Sequence, residues 1–207
     1  MTSGHMTDET AEALRRYRER DLAAGEALAR RALGLALPTA AAVLGSREEA
    51  ADVAQDVAVD VLRSVGKLRE PMAFDAWVHR ITVRHARRAV RRRWIKRSVE
   101  TPLVLLPEAE EPPGPGGPEP AELVATRRAL AEAIAGLPSN QRIALALRYV
   151  HDLSAAQIAA ALGCREGTAD ALLSRARSTL RGAPQLADFA SADATKVAPV
   201  TATGGSR

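Results

Sequence analysis

The chain has 207 residues, a formal net charge of +4, 46% hydrophobic residues and only 3% aromatics, which allows one or two small domains with cores of their own. Alanine and leucine supply most of the apolar surface, which favours helix over sheet. No run of about 18 apolar residues stands out, so a membrane partner is not expected; the start lacks a signal-peptide core, and one cysteine, Cys164, permits no internal disulfide and fits a reducing cytoplasm.

In chain order, residues 1–7, opening Met1-Thr2-Ser3-Gly4-His5, read as an added, disordered remnant outside the fold. An N-terminal module over about 8–97 then reads as helices, the first over 10–22 and the second over 25–44, where Pro38 should kink or split it. Ser46 and Glu49 have capping-box spacing and should open a third helix. Val53, Val57, Val61 and Val65 recur at helical spacing and give it a buried face. Asp52, Gln55, Asp56 and Asp60 fall away from that stripe, so the outer surface is acidic.

A fourth helix is expected over about 72–94, with Val78, Ile81, Ala86, Ala89 and Val90 on one side. At about 100° per residue, Arg80, Arg84, Arg87, Arg88 and Arg91 cluster within about 100° on the other. Guanidiniums at this spacing repel one another by a few tenths of a kcal/mol per pair. A phosphate backbone relieves that repulsion through counterion release, whereas a solvated structural helix has no need of it. Arg84 to Arg97 holds eight positive residues and no acid, while Ser98 to Pro120 holds five acids and no base. Such segregation points to a polyanion partner for the basic segment.

Pro107 to Pro120 reads PEAEEPPGPGGPEP, which fits neither helix nor sheet, so residues 98–120 form a flexible linker. Residues 121–182 form a second module of four helices, near 121–135, 139–151, 154–162 and 165–181. Ser154 and Gln157 suit a capping box, Leu153 and Ile158 a hydrophobic staple. Gly163 is placed to end that helix in a left-handed conformation. Ala169, Leu172, Leu173, Ala176 and Leu180 form the core stripe of the last helix. Two helices joined this way have the layout of a helix-turn-helix, whose second helix enters a DNA major groove. The tail from Ala183 to Arg207 lacks periodicity and is expected to be disordered. The fold class is therefore all-α: two small helical domains joined by a flexible linker, the second with a helix-turn-helix.

At these residues the chain resembles the bacterial RNA polymerase sigma factors of the extracytoplasmic-function type. Leu137-Pro138, Gln141-Arg142, Leu147-Arg148-Tyr149, Leu153-Ser154, Ile158-Ala159, Leu162-Gly163, Gly167-Thr168 and Ser174-Arg175-Ala176-Arg177 follow the family's promoter-reading domain. Ala51-Asp52, Gln55-Asp56-Val57 and Phe74-Asp75-Ala76-Trp77-Val78-His79-Arg80-Ile81 follow its other domain. The resemblance implies a sigma factor that binds core RNA polymerase and directs transcription initiation. It places Asp52, Gln55, Asp56 and Asp60 at the polymerase, and Trp77, Arg80, Arg84, Arg87, Arg88, Arg91 and Arg92 at the minus-ten promoter element. It places Arg165, Thr168, Ala171, Ser174, Arg175 and Arg177 of the helix-turn-helix at the minus-thirty-five element. Family members are commonly held by an anti-sigma factor, which makes such a protein a candidate partner.

The chain also departs from the family. Ala169-Asp170-Ala171-Leu172 stands where a Val-Lys-Ser-Arg-type run is usual, and Asp170 is repelled by phosphates. Arg84 and Arg88 stand where the family tends to carry Asn and Asp, favouring phosphate grip over base reading. These departures keep open an alternative, a sigma-like DNA-binding or polymerase-associated regulator with weakened promoter recognition. Nothing points to an enzyme or a cofactor: no Gly-rich phosphate loop or nucleophile elbow is present. His79, His85, His151 and Cys164 match no metal spacing, and His79 and Cys164 are expected to pack locally. Trp77 is expected in the core, and Trp94 either stacks on an exposed base or lies against the linker.

Overall fold

The computed structural model describes residues 3–99 and 121–186. Of the linker expected over 98–120, residues 98 and 99 belong to a helix and 100–120 lie outside the described residues. Of the tail expected to be disordered from Ala183, residues 184–186 form a 3-10 turn and 187–207 lie outside them. The described residues form eight α-helices and no strand: α1 (Ser3–Arg18), α2 (Leu22–Leu44), α3 (Arg47–Ser64), α4 (Phe74–Val99), α5 (Ala121–Ala135), α6 (Ser139–Tyr149), α7 (Ala155–Leu162) and α8 (Glu166–Arg181). Short 3-10 turns cover Val65–Lys67, Pro71–Ala73 and Pro184–Leu186.

The first helix begins at Ser3, inside the segment expected to be disordered, and ends at Arg18 rather than at residue 22. Its end is set by Arg20, which takes a left-handed φ of 68°, and by Asp21, whose carboxylate accepts from the Ala23 and Ala24 amides to open α2. α2 runs through Pro38 as one helix and is not split. Gly45, at φ 68°, closes it by turning its amide onto the Ala41 carbonyl. By length and composition Leu22–Leu44 is apolar enough to cross a membrane, but Glu26, Arg30 and Arg31 interrupt it. It is therefore not the uninterrupted run of about 18 apolar residues whose absence was expected. Its apolar face is spent inside the protein, with Leu28, Ala32, Ala36, Ala40, Val43 and Leu44 buried.

Ser46 caps α3 by accepting from the Glu49 amide at 3.3 Å. The reciprocal half of that capping box does not form: the Glu49 carboxylate turns to Arg93 of α4, 3.8 Å away. Val53, Val57, Val61 and Val65 are all buried against α2 and α4, and Arg31 of α2 ties to Asp75 of α4 through two bonds of 2.8 and 2.7 Å. In the second half of the chain both halves of the Ser154–Gln157 box are made. Leu153 packs on the cluster that buries Ile158, and Gly163 adopts φ 70° with its amide on the Ala159 carbonyl.

The two modules do not stand apart. Val43 of α2 and Val83 and Ala86 of α4 belong to the same buried cluster as Leu137, Ile143, Leu147, Ile158, Leu162 and Ala176. The arc of α4 explains this. Phe74, Val78, Ile81 and Ala89 face the first core, and His79, Thr82, Val83 and Ala86 are buried too. Together they cover about 200° of the helix, wider than the roughly 100° stripe a surface helix buries on one partner. A second partner, α6 and α7, covers the rest.

Two substitutions test the turn. Ser154→Ala removes the acceptor for the Gln157 amide and is expected to cost about 1 kcal/mol. Gly163→Ala meets no atom within 4 Å but forces a Cβ into the left-handed region, at about 1–2 kcal/mol. Urea midpoints of the purified variants read both, and a midpoint equal to wild type in either would remove that residue from the account of the turn.

Candidate nucleic-acid interface

The arginine stripe of α4 survives folding as one surface. Arg80, Arg84, Arg88, Arg91 and Arg92 are exposed and Arg87 half-buried. Arg80, Arg84, Arg87, Arg88 and Arg91 line one groove of about 310 Å³ together with Val83 and with Ala161 of α7. The cations lie at helical spacing along a single helix, so their fields add along a line, as a phosphate strand requires. Two members are already engaged. Arg84 pairs with Asp60 at 3.2 Å. Arg87 donates from Nε to Asn140 Oδ1 and from Nη1 to the Leu162 carbonyl, both at 3.1 Å. Its charge thus sits on the C-terminal end of α7, where the helix dipole favours a cation.

Around the corner a second groove of about 490 Å³ is lined by Arg63, Lys67, Arg69, Arg84, Trp77 and Asp60, with Ser64, Leu68 and Ile81. Arg63, Lys67 and Arg69 were not singled out in the sequence. Their signal was present in the basic end of α3 and the turn after it, but only folding brings that turn beside α4. Trp77 is half-buried with its ring 6.1 Å from Phe74, so it is anchored in the core and edges the groove at once. Trp94 is 70% exposed at the end of the arginine stripe.

The acidic face of α3 is divided. Asp52, Gln55 and Asp56 are exposed, as a protein-binding surface requires. Asp60 is turned inward, 2.8 Å from His85 Nε2 and 3.2 Å from Arg84. The His85 hydrogen bond, then the nearby charges of His85 and Arg84, hold its carboxyl below the usual range despite partial burial. Asp60 therefore steadies α4 on α3.

Arg165, just before α8, and Thr168, Ser174, Arg175 and Arg177 on it are exposed and Ala171 is half-buried, while Ala169, Leu173 and Ala176 face the core. Asp170 is exposed on the same outer surface. Arg177 Nε bonds back to the Leu173 carbonyl at 3.3 Å, which points it along its own helix. His79 does not pack locally as expected. It is 2% exposed and its ring lies 4.5 Å from that of His151, in the other module. Cys164 is half-buried against the second cluster. No group of three or more His, Cys, Asp or Glu suited to a metal occurs among the described residues.

The family model for Sigma-70 region 2 matches residues 28–95, and that for Sigma-70 region 4 matches residues 127–180, together more than half of the chain. The chain belongs to the sigma-70 family, in its extracytoplasmic-function branch. Over 150 residues it is 31% identical to a probable RNA polymerase sigma factor, RfaY, of Xanthomonas campestris pv. campestris, covering 69% of this chain and 36% of that protein. Over 140 residues it is 32% identical to the ECF RNA polymerase sigma factor SigE of Mycolicibacterium smegmatis, covering 66% of this chain and 52% of that protein. The chain thus spans about a third to a half of the length of these curated relatives. Among solved structures it is similar to the sigma factor RpoE of Bartonella quintana, crystallised with the anti-sigma factor NepR. The TM-score is 0.60 and the identity 22%, over 75% of this chain and 93% of that one. It is also similar to CnrH in complex with the cytosolic domain of CnrY, with TM-score 0.58 and 22% identity, over 90% of this chain and 97% of that one. At that identity the likeness concerns the fold.

In this sigma-70 chain the region 2 match contains the whole of α3 and the arginine stripe, and the region 4 match contains α6, α7 and nearly all of α8. Replacing Arg80, Arg88 and Arg91 together with Ala is expected to flatten the slope of log affinity against log salt by two to three units, about one for each phosphate no longer neutralised. Anisotropy with a labelled duplex between 50 and 300 mM salt reads the slope, and an unchanged value would sink the phosphate grip.

Proposed function

We propose that the chain is a sigma factor that binds core RNA polymerase and directs promoter recognition and transcription initiation. The observation that carries the reading is the pairing, on one chain and in order, of region 2 and region 4 matches with an unbroken arginine face on the region 2 helix. The proposed organisation is a region-two-like domain at 8–97, a linker at 98–120, a region-four-like domain at 121–182 and a tail from 183.

Asp52, Gln55 and Asp56 of α3 take the polymerase, their exposure suiting them to a basic protein surface. Asp60 contributes from within, by orienting Arg84. Trp77, Arg80, Arg84, Arg87, Arg88, Arg91 and Arg92 take the minus-ten region, joined by Arg63, Lys67 and Arg69 from the neighbouring groove. Arg165, Thr168, Ala171, Ser174, Arg175 and Arg177 take the minus-thirty-five region. The work is binding and positioning rather than catalysis, no cofactor is required, and the site of action is the cytoplasm. An anti-sigma factor is a further proposed partner.

A second reading, a sigma-like regulator with weakened promoter recognition, is favoured by one observation: exposed Asp170 and half-buried Ala171 occupy the reading face of α8. Absence of a bidentate base contact costs about 1–3 kcal/mol of discrimination, so the upstream element is expected to contribute little specificity. Run-off transcription with purified core polymerase on genomic fragments separates the two readings. Initiation from a small promoter set is expected, and binding to polymerase or DNA without initiation would favour the second. Reversing the charge of Asp56 to Arg is expected to weaken co-purification with core polymerase at least tenfold, with at most a small loss of thermal stability from the 3.9 Å contact with His85, since the side chain is otherwise exposed.

A further inference from the structure

We propose that the seam between the two modules is an acid-released latch. With His79 and His151 neutral it holds the modules closed, and protonation of the pair parts them while each stays folded. The seam is formed by α2 and α4 on one side and by α6, α7 and the turn between them on the other.

At its centre two imidazoles face each other. His79 of α4 is buried, and its Nδ1 has no hydrogen-bond partner. His151, in the turn after α6, lies 4.5 Å away and meets the buried Thr39 hydroxyl of α2 through Nε2 at 2.7 Å. Two protonated rings at that separation repel in a low-dielectric setting, and a buried charged ring loses its hydration. The charged neighbours are few. Asp75, one turn before His79 on α4, favours both protonated rings, but its carboxylate is held bidentately by Arg31 of α2. Asp152, next to His151, is exposed. On α2 the Leu35 carbonyl also favours protonated His151. Burial outweighs these: it pushes His79 down to about 4, with His151 adding to the effect, and it lowers His151 as well.

The sign follows. Both rings bind protons more weakly closed than open, so closure is fully present above the ordinary histidine value and is lost as pH falls below it. With 6.5 for an open ring and about 4 closed, His79 alone multiplies the open-to-closed ratio about 30-fold between pH 8 and pH 5. The rest of the seam is held by the shared apolar cluster and by the Arg87 bonds to Asn140 and the Leu162 carbonyl, against one unfavourable contact. Arg142 of α6 is half-buried with its Nε unpartnered, and it meets the like charge of Arg93 of α4.

Closure matters for the proposed function, although the latch does not rest on it. The minus-ten and minus-thirty-five elements are about 25 base pairs apart, about 85 Å along the duplex at 3.4 Å per step. In the closed form Ala161 of the helix-turn-helix lines the same groove as the α4 arginines, and Arg87 is held by Asn140 and Leu162. One closed molecule cannot bridge both elements.

Small-angle X-ray scattering of the full chain from pH 8 to pH 5 at constant ionic strength, with far-ultraviolet circular dichroism in parallel, tests the latch. The radius of gyration is expected to rise on acidification with a midpoint below 6.5, with helix content unchanged. The double variant H79Q/H151Q should remain compact at pH 5. Because His79 is a core residue, H151N alone, at a half-exposed position, serves as the second variant and should shift the midpoint to lower pH. An extended chain at pH 8, a radius that does not change, a loss of helix over the same pH range, or the wild-type midpoint in either variant would overturn the proposal.

Discussion

The structure depends on the width of the apolar arc on α4. A helix that buries about 200° of its circumference cannot be satisfied by one layer of neighbours. Phe74, Val78, Ile81 and Ala89 are buried against α2 and α3, while Val83 and Ala86 are buried with α6 and α7. What remains is an outer arc of about 160°, within which Arg80, Arg84, Arg87, Arg88 and Arg91 cluster over about 100°. The same packing that makes α4 rigid therefore sorts its charge onto one line. A cationic surface built on a buried helix costs little reorganisation when an anionic partner arrives.

Ionic contacts then set how each arginine is used. Asp60 draws Arg84 and His85 toward α3, Glu49 and the Leu44 carbonyl hold Arg93, and Asn140 with the Leu162 carbonyl holds Arg87. Exposed pairs of this kind are worth little in stability. Their consequence is geometric: Arg80, Arg88 and Arg91 stay on the open face, while Arg87 is tied to the second module.

Much of this was legible in the sequence because it is local. The helix-turn-helix showed in Ser154, Gln157 and Gly163, since caps and left-handed turns are decided within a few residues. The valine stripe of α3 showed because its period matches the helix. The Ser46–Glu49 box was half right, because Glu49 was drawn off by Arg93, which is distant in the chain and adjacent only in the fold. Leu22–Leu44 escaped notice as a long apolar helix because charges interrupt it, and its fate inside the protein depends on the partners that cover it. Arg63, Lys67 and Arg69 carried no signal linking them to α4, because the turn after α3 gains meaning only beside that helix.

The sequence by itself determined an all-helical chain of two modules, the position of the turn, the acidic and arginine-bearing faces and the family resemblance. The first three follow from periodicity and capping, which act over a few residues, and the resemblance from the run of motifs that matches the family. Tertiary structure alone decided that the modules share a buried cluster, that Asp60 turns inward, that Arg87 is engaged, and that His79 meets His151 across 72 positions of chain. Those outcomes depend on which surfaces find each other in space. That choice lies with the shape and chemistry of α2 and α4.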